Sequence, residues 1–347
     1  MNKKEQLRRV GNLAQLGGTR HYTLNSGTSK GVSAIDVNTG TGFTFTVVPD
    51  RGLDISLAGY RGMNLVHLTP NGEANAAFYE PEGAGWLRTF FAGLLTTCGL
   101  MHLGPPVQDG NESLGLHGRH TVSPARQVCD NSRWVGDEYV IEISGIVEDA
   151  YLFGPKIRLT RTIKTAIGKR SLQVIDVVEN FGYAPCPFTI LYHVNAGYPL
   201  LDEGSELLLS AESSHGINEH SQKDIDTHRA FTAPIHGFDE QNYLHTLKAD
   251  ADGYSSVAFV NRKLGDGVGL MLKFRKDALP YFNEWKMMAE GDYVVGIEPA
   301  NVPCENRVSL REKGLLPMLA PGESKTVELE IAILDGQTEI ADFAKKL

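Results

Sequence analysis

Cysteine is scarce in this 347-residue chain: Cys98, Cys129, Cys186 and Cys304 stand far apart, and no C-x-x-C pair offers a zinc knuckle or a redox couple. Isolated thiols of this kind fit a reduced, cytoplasmic protein. Long apolar runs are also missing, which argues against a membrane-spanning helix. The basic opening segment, residues 1–10, has no apolar stretch behind it, so a cleavable signal is not expected. Beyond that segment there is no block of Lys and Arg, and the net charge is -9. A nucleic-acid surface is therefore excluded, and a small or neutral partner is favoured. Fixed-period repeats and low-complexity linkers are absent as well.

What the chain does have is a succession of short runs rich in Val, Ile, Thr and Phe, separated by Gly, Asn and Asp turns. Residues 42–49 and 53–57 read as strands around a Pro49-Asp50-Arg51-Gly52 turn, and 139–147 alternates. Residues 157–165 and 171–178 form a hairpin across Gly168, and 257–261 with 268–274 form another across Gly265-Asp266-Gly267. Helical signals are confined to 4–16, a short piece near 282–288, and 339–346. The pattern predicts an all-β, mainly antiparallel, large twisted β-sandwich with a few short helices. It is expected to be one domain over 1–347, with 1–20 as an N-terminal helical extension.

Within this pattern, Val295-Gly296-Ile297-Glu298-Pro299 is unusual because a carboxylate ends an apolar strand. An ionised side chain in such a run needs a partner, water or a chemical task. A second unusual segment, Leu191-Tyr192-His193-Val194-Asn195, puts His193 and Asn195 on the same side of a strand. An imidazole there can exchange a proton near neutral pH and complement Glu298; a hydrogen-bonded core histidine is the bland alternative. His117 lies in Gly115-Leu116-His117-Gly118-Arg119-His120, where glycines permit close backbone approach and Arg119 offers a fork of donors. Arg51 and Arg88 are further candidates for gripping hydroxyls or a carboxylate. Asp239 sits in a polar loop, and Trp86, Tyr198, Trp285 and Tyr293 are candidates for stacking on a sugar face. His117, His120, His193 and Glu298 are also weighed as a divalent-cation set, but without a compact ligand motif no metal is expected.

Five segments taken in order, Pro49-Asp50-Arg51-Gly52-Leu53-Asp54, Thr97-Cys98-Gly99-Leu100, Leu116-His117-Gly118-Arg119, Tyr192-His193-Val194-Asn195 and Gly296-Ile297-Glu298-Pro299, resemble the galactose mutarotase-like superfamily. The likeness is to its aldose 1-epimerase-like bacterial branch, DUF4432, and runs over nearly the whole chain. It implies a sugar-binding β-sandwich isomerase that needs no cofactor and interconverts anomers by acid-base ring opening, with Glu298 as base and His193 as acid. Binding roles fall to His117, Asn195 and Asp239. The family's usual Asn-Arg pair before the His-Gly turn is missing, so Arg51, Arg88 and Arg119 compete for the orienting role. Another sugar epimerase, isomerase or lyase, metal-assisted or not, and a non-catalytic sugar-binding protein are the alternatives. The sugar is left open, as is the choice between monomer and homodimer.

Overall fold

The computed structural model describes residues 2–347, and antiparallel strands dominate it. Three sheets carry the architecture. A five-stranded meander runs Gly18–Thr23, Ser33–Asn38, Phe43–Val48, Asp54–Tyr60, Met63–Asn64. A nine-stranded sheet is centred on Glu138–Ala150, Lys156–Ala166, Ser171–Asn180, Ser324–Asp335 and Val268–Arg275. The third, of six strands, is ordered Ala211–Gly216, Gln241–Leu247, Tyr281–Met288, Tyr293–Ala300, Thr189–Gly197, Thr96–Leu100.

Burial follows from this layering. Lys156–Ala166 and Ser171–Asn180 alternate buried and less buried positions along most of their length, as strands with one face on the core must. Thr189–Gly197 and Tyr293–Ala300 are instead buried at every position. They lie inside the six-stranded sheet, and both of its faces are covered. One face joins the main core, where Tyr192, Val194 and Ile297 meet Leu159 and Leu329 of the nine-stranded sheet and Phe45 of the meander. The other is covered by loops that bring Trp86, Phe90, Leu103 and Leu116 onto Cys98, Leu191 and Ala300. Each large apolar side chain removed from water in this way contributes about 1.5–3 kcal/mol.

Two expectations need correcting. The segment expected as a helix near 282–288 belongs to the strand Tyr281–Met288, flanked on both sides by strands. Its mixture of Phe, Asn, Glu, Trp and Lys mimics helical periodicity because both faces of this strand carry polar side chains with buried partners. The helix expected over 4–16 is two short pieces, Lys3–Leu7 and the 3-10 turn Leu13–Gln15, the second capped by Asn12. The C-terminal helix occupies Gln337–Ala344. No helix among the described residues is long and apolar enough to cross a membrane.

Candidate active site

Strand register brings Glu298 and His193 together. Asn195 pairs with Gly296 and Val194 with Ile297 across the junction of Thr189–Gly197 and Tyr293–Ala300. The alternation of side chains then places His193, Asn195, Gly296 and Glu298 on the loop-covered face. His193 Nε2 lies 3.2 Å from Glu298 Oε1, and both side chains are almost fully buried. The approach lacks hydrogen-bond alignment, so Glu298 Oε1 has no partner among protein groups, and His193 Nδ1 is unpartnered as well. Glu298 Oε1 therefore keeps a buried lone pair for an incoming ligand.

Gly296 makes the room. A Cβ at that position would stand 2.1 Å from Glu298 Oε1, so the carboxyl folds back over the one residue that has no side chain.

The surroundings set protonation. Burial, reinforced by the nearby Glu240, pushes the Glu298 carboxyl well above the usual carboxylate range. Burial, with His117 adding to it and Asn195 opposing it, pulls His193 down to about 3. Burial thus favours the uncharged form of each group, a protonated carboxyl beside a neutral imidazole.

Aromatic rings wall the pair. Phe90 and Trp285 lie 5.3 Å and 5.4 Å from the His193 ring, and His117 lies 6.1 Å from it. Trp86 stacks on Phe90 and meets His117 edge-on. The His117 turn is fixed by main chain: His117 N–H donates to Gly104, and Gly99 and Arg119 N–H donate to His117 and Gly99. His117 itself has φ +57 and Gly118 φ +75. A Cβ on Gly118 would meet the carbonyls of His102 and Gly99 at 2.4 and 2.5 Å, so only glycine fits there. Burial holds His117 down to about 4, which makes it a neutral hydrogen-bonding group.

The other expected residues are placed differently. Asn195 is buried under the histidine, donating to the carbonyls of Gly93 and His193 itself. Arg51 is not free: it is fully buried, and Nε and both terminal nitrogens donate to the carbonyls of Thr121, Ala74 and Thr89. Its fork ties the loop that delivers Phe90 rather than reaching the pair. Arg88 is exposed and pairs with Glu80 at 3.2 Å. Arg119 is exposed over the Tyr79 ring. Asp239 is exposed, and only its carbonyl is engaged, by His220. Its neighbour Glu240 is the acid that meets the site, accepting from Trp285 Nε1 at 2.9 Å. Sequence reasoning missed Glu240 and Phe90; both stand in segments it had singled out, one residue from Asp239 and two from Arg88. Of the stacking candidates, Tyr293 is buried with its hydroxyl on Thr232 and Tyr198 is 64 % exposed, leaving Trp285 beside the pair and Trp86 behind Phe90 and His117.

Residues 29–333 match the family model described as a domain of unknown function, DUF4432. A crystal structure from Klebsiella pneumoniae, described as a candidate aldose 1-epimerase, is 26 % identical with a TM-score of 0.91, covering 96 % of this chain and 89 % of that one. A galactose mutarotase-like protein from Clostridium acetobutylicum is 14 % identical with a TM-score of 0.63, over 91 % and 98 % of the two chains. A galactose 1-epimerase from Lactobacillus acidophilus is 13 % identical with a TM-score of 0.59, over 92 % and 100 %. The last two likenesses establish the fold alone. A search of curated proteins gives no match.

Proposed function

This chain belongs to the DUF4432 family, and from that premise we propose that it is an aldose 1-epimerase-like isomerase that opens and recloses the ring of an uncharged sugar. The observation that carries the reading is the 3.2 Å approach of His193 to Glu298, buried yet without hydrogen-bond alignment. A purely structural pair would be expected to close that bond. The description of the Klebsiella pneumoniae structure supports the same activity.

In the reaction, Glu298 accepts the proton of the anomeric hydroxyl while His193 Nε2 donates one to the ring oxygen. The C1–O5 bond breaks and leaves the open-chain aldehyde. Rotation about C1–C2 and closure on the other face, with both transfers reversed, give the other anomer. The carboxylate-imidazolium state this requires has the same single proton as the resting pair, relocated to His193. A hydroxyl donating to Glu298 and a ring oxygen accepting from His193 both favour that relocation. The resting protonation also favours a second reading, in which protonated Glu298 faces the ring oxygen and His193 is the base. Both contain one proton, so a sugar-bound structure, showing which group faces O1, separates them.

An uncharged substrate is supported by the commitments of the three candidate arginines among the described residues, Arg51 to carbonyls, Arg88 to Glu80 and Arg119 to the face of Tyr79, while the charge acting on Glu298 is negative. His117, Trp285 and Phe90 would hold the ring. The four cysteines are all unpaired, which supports a cytoplasmic setting. The test is exchange between anomers followed by saturation-transfer NMR across a panel of aldoses, sugar acids and sugar phosphates. Exchange with a neutral aldose, lost in Glu298→Gln and His193→Asn, is the expected result. Near-normal rates in either variant overturn the role assignment.

A further inference from the structure

The reverse face of the same sheet carries a second histidine-carboxylate cluster. Glu284 precedes Trp285 and therefore points away from the pair. It meets His245 of the neighbouring strand Gln241–Leu247 and His228 from the preceding connection. His228 Nδ1 lies 2.5 Å and His245 Nε2 3.3 Å from the same Glu284 oxygen, Oε2. All three donor atoms fall within 4.8 Å of one another. The side chains are 4 %, 0 % and 0 % exposed for His228, His245 and Glu284.

We propose that His228, His245 and Glu284 form a binding site for one divalent transition-metal ion of the zinc class. Two imidazoles and a carboxylate are the donor set such ions take, with positions left for water. Zinc-ligand bonds of about 2.0–2.1 Å in a tetrahedron put neighbouring donors roughly 3.3 Å apart. The His245 contact already has that spacing; the His228 contact must open by the difference. Hydrogen bonding within the cluster leaves two fully buried atoms, His245 Nε2 and Glu284 Oε1, without an aligned partner among protein groups. Buried polar atoms seldom stay unmatched, and a cation between the three side chains would engage both residues.

The groups around the cluster suit neutral imidazoles. His245 Nδ1 lies 2.8 Å from Ser214 Oγ; a proton on Nδ1 leaves the Nε2 lone pair facing Glu284, an outer contact typical of ligating histidines. Arg229 Nε donates to His228 Nε2 at 3.2 Å, so the His228 proton rests on Nδ1. Metal on Nδ1 requires that proton to move to Nε2 and the exposed Arg229 to swing aside, with no net proton released. Lys286, the other cation beside the cluster, is held by the carbonyls of Thr227, His228 and Ala230. His228 and Arg229 line an open groove of about 640 Å³ with Leu207, Asp226 and Leu347, which provides an entry path from solvent.

The test uses the full chain, stripped with a chelator and then equilibrated with Zn²⁺ or Co²⁺. Mass spectrometric metal analysis after desalting is expected to find one Zn²⁺ per chain, and Co²⁺ to give the intense visible bands of a four- or five-coordinate nitrogen-oxygen site. Glu284→Gln and His245→Gln should each lose both signals. His236→Gln, which removes an exposed histidine paired with Glu290, and His193→Asn should keep them. A metal-free wild type, or undiminished binding in Glu284→Gln, overturns the proposal. Should the cluster variants fail to fold, the cobalt spectrum of wild type and of His193→Asn decides: a weak, octahedral spectrum overturns it, and intense bands in both support it.

Discussion

Two buried glutamates sit on one sheet with histidines beside them, back to back, and their carboxyls are driven in opposite directions. Burial raises both. At Glu284 the two histidines, His228 first through its hydrogen bond, outweigh burial and hold the carboxyl below its usual range. At Glu298 nothing opposes burial, and Glu240 adds to it. Residue type and depth are alike, so alignment makes the difference: an imidazole aimed at a carboxylate stabilises its charge, whereas one that merely lies 3.2 Å away does not. The Glu284 cluster closes one hydrogen bond, from His228, whereas the Glu298 pair closes none.

The largest contrast expected between the two lies in activity. Glu298→Gln and His193→Asn should each lower the anomer-exchange rate by about 10²–10⁴-fold, with an unchanged circular dichroism spectrum; Glu284→Gln should leave the rate within the range set by its stability. Next comes Gly296→Ala. Its methyl would stand 2.1 Å from Glu298 Oε1 and push the carboxyl aside, and a displaced catalytic group costs on the order of 10²-fold, again read by NMR exchange. If Gly296→Ala retains wild-type rates, Glu298 is not the group that touches the sugar.

The contrast reverses in stability. In chelator-treated protein, Glu284→Gln removes a charge that accepts from buried imidazoles and should cost about 2 kcal/mol by denaturant midpoint. Glu298→Gln replaces a carboxyl that burial keeps protonated in the fold but that is ionised in the unfolded chain at neutral pH, so it should raise stability there. The pH slopes are opposite in sign as well. Glu284, with its carboxyl lowered in the fold, stabilises above its unfolded value and loses that contribution as pH falls through the folded value. Glu298, raised, contributes below its unfolded value and loses the contribution as pH rises through the folded one. The penalty of Glu284→Gln should therefore shrink on acidification, while Glu298→Gln should gain on wild type as pH rises. Urea titrations at a series of pH values measure both slopes.

The same contrast explains what the sequence could and could not reveal. Glu298 was legible because a carboxylate in an apolar strand is costly, and His193 and Asn195 because a spacing of two puts them on one face. Hairpins across Gly168 and Gly265–Gly267 were legible from turn chemistry. Arg51 was misleading: a guanidinium in a turn between strands suggests a ligand, yet the three carbonyls that consume it come from positions 74, 89 and 121, which only folding brings together. Glu284 and Lys286 were hidden in a strand whose two polar faces imitated a helix. His228 and His245 were hidden because their shared partner, Glu284, lies 56 and 39 residues further along. Long-range pairing of this kind leaves no local period to read.

The smallest expected effect concerns Glu240, the residue that couples the pair to solvent. Its carboxylate accepts from Trp285 Nε1 and is the one charge that helps burial raise Glu298. The resting pair keeps its single proton between the acid limb, where His193 gains a second near about 3, and the alkaline limb, where Glu298 gives its proton up. Exchange rates should therefore be flat across neutral pH. Glu240→Gln keeps a hydrogen-bond acceptor for Trp285 but deletes the charge, so the alkaline limb should move to lower pH while the acid limb stays where it is. Glu240 is exposed, and a screened surface charge is worth less than about 1 kcal/mol, roughly fivefold in rate. A limb that moves the other way, or an acid limb that moves with it, would show that Glu240 acts through the position of Trp285 instead of through its charge on Glu298.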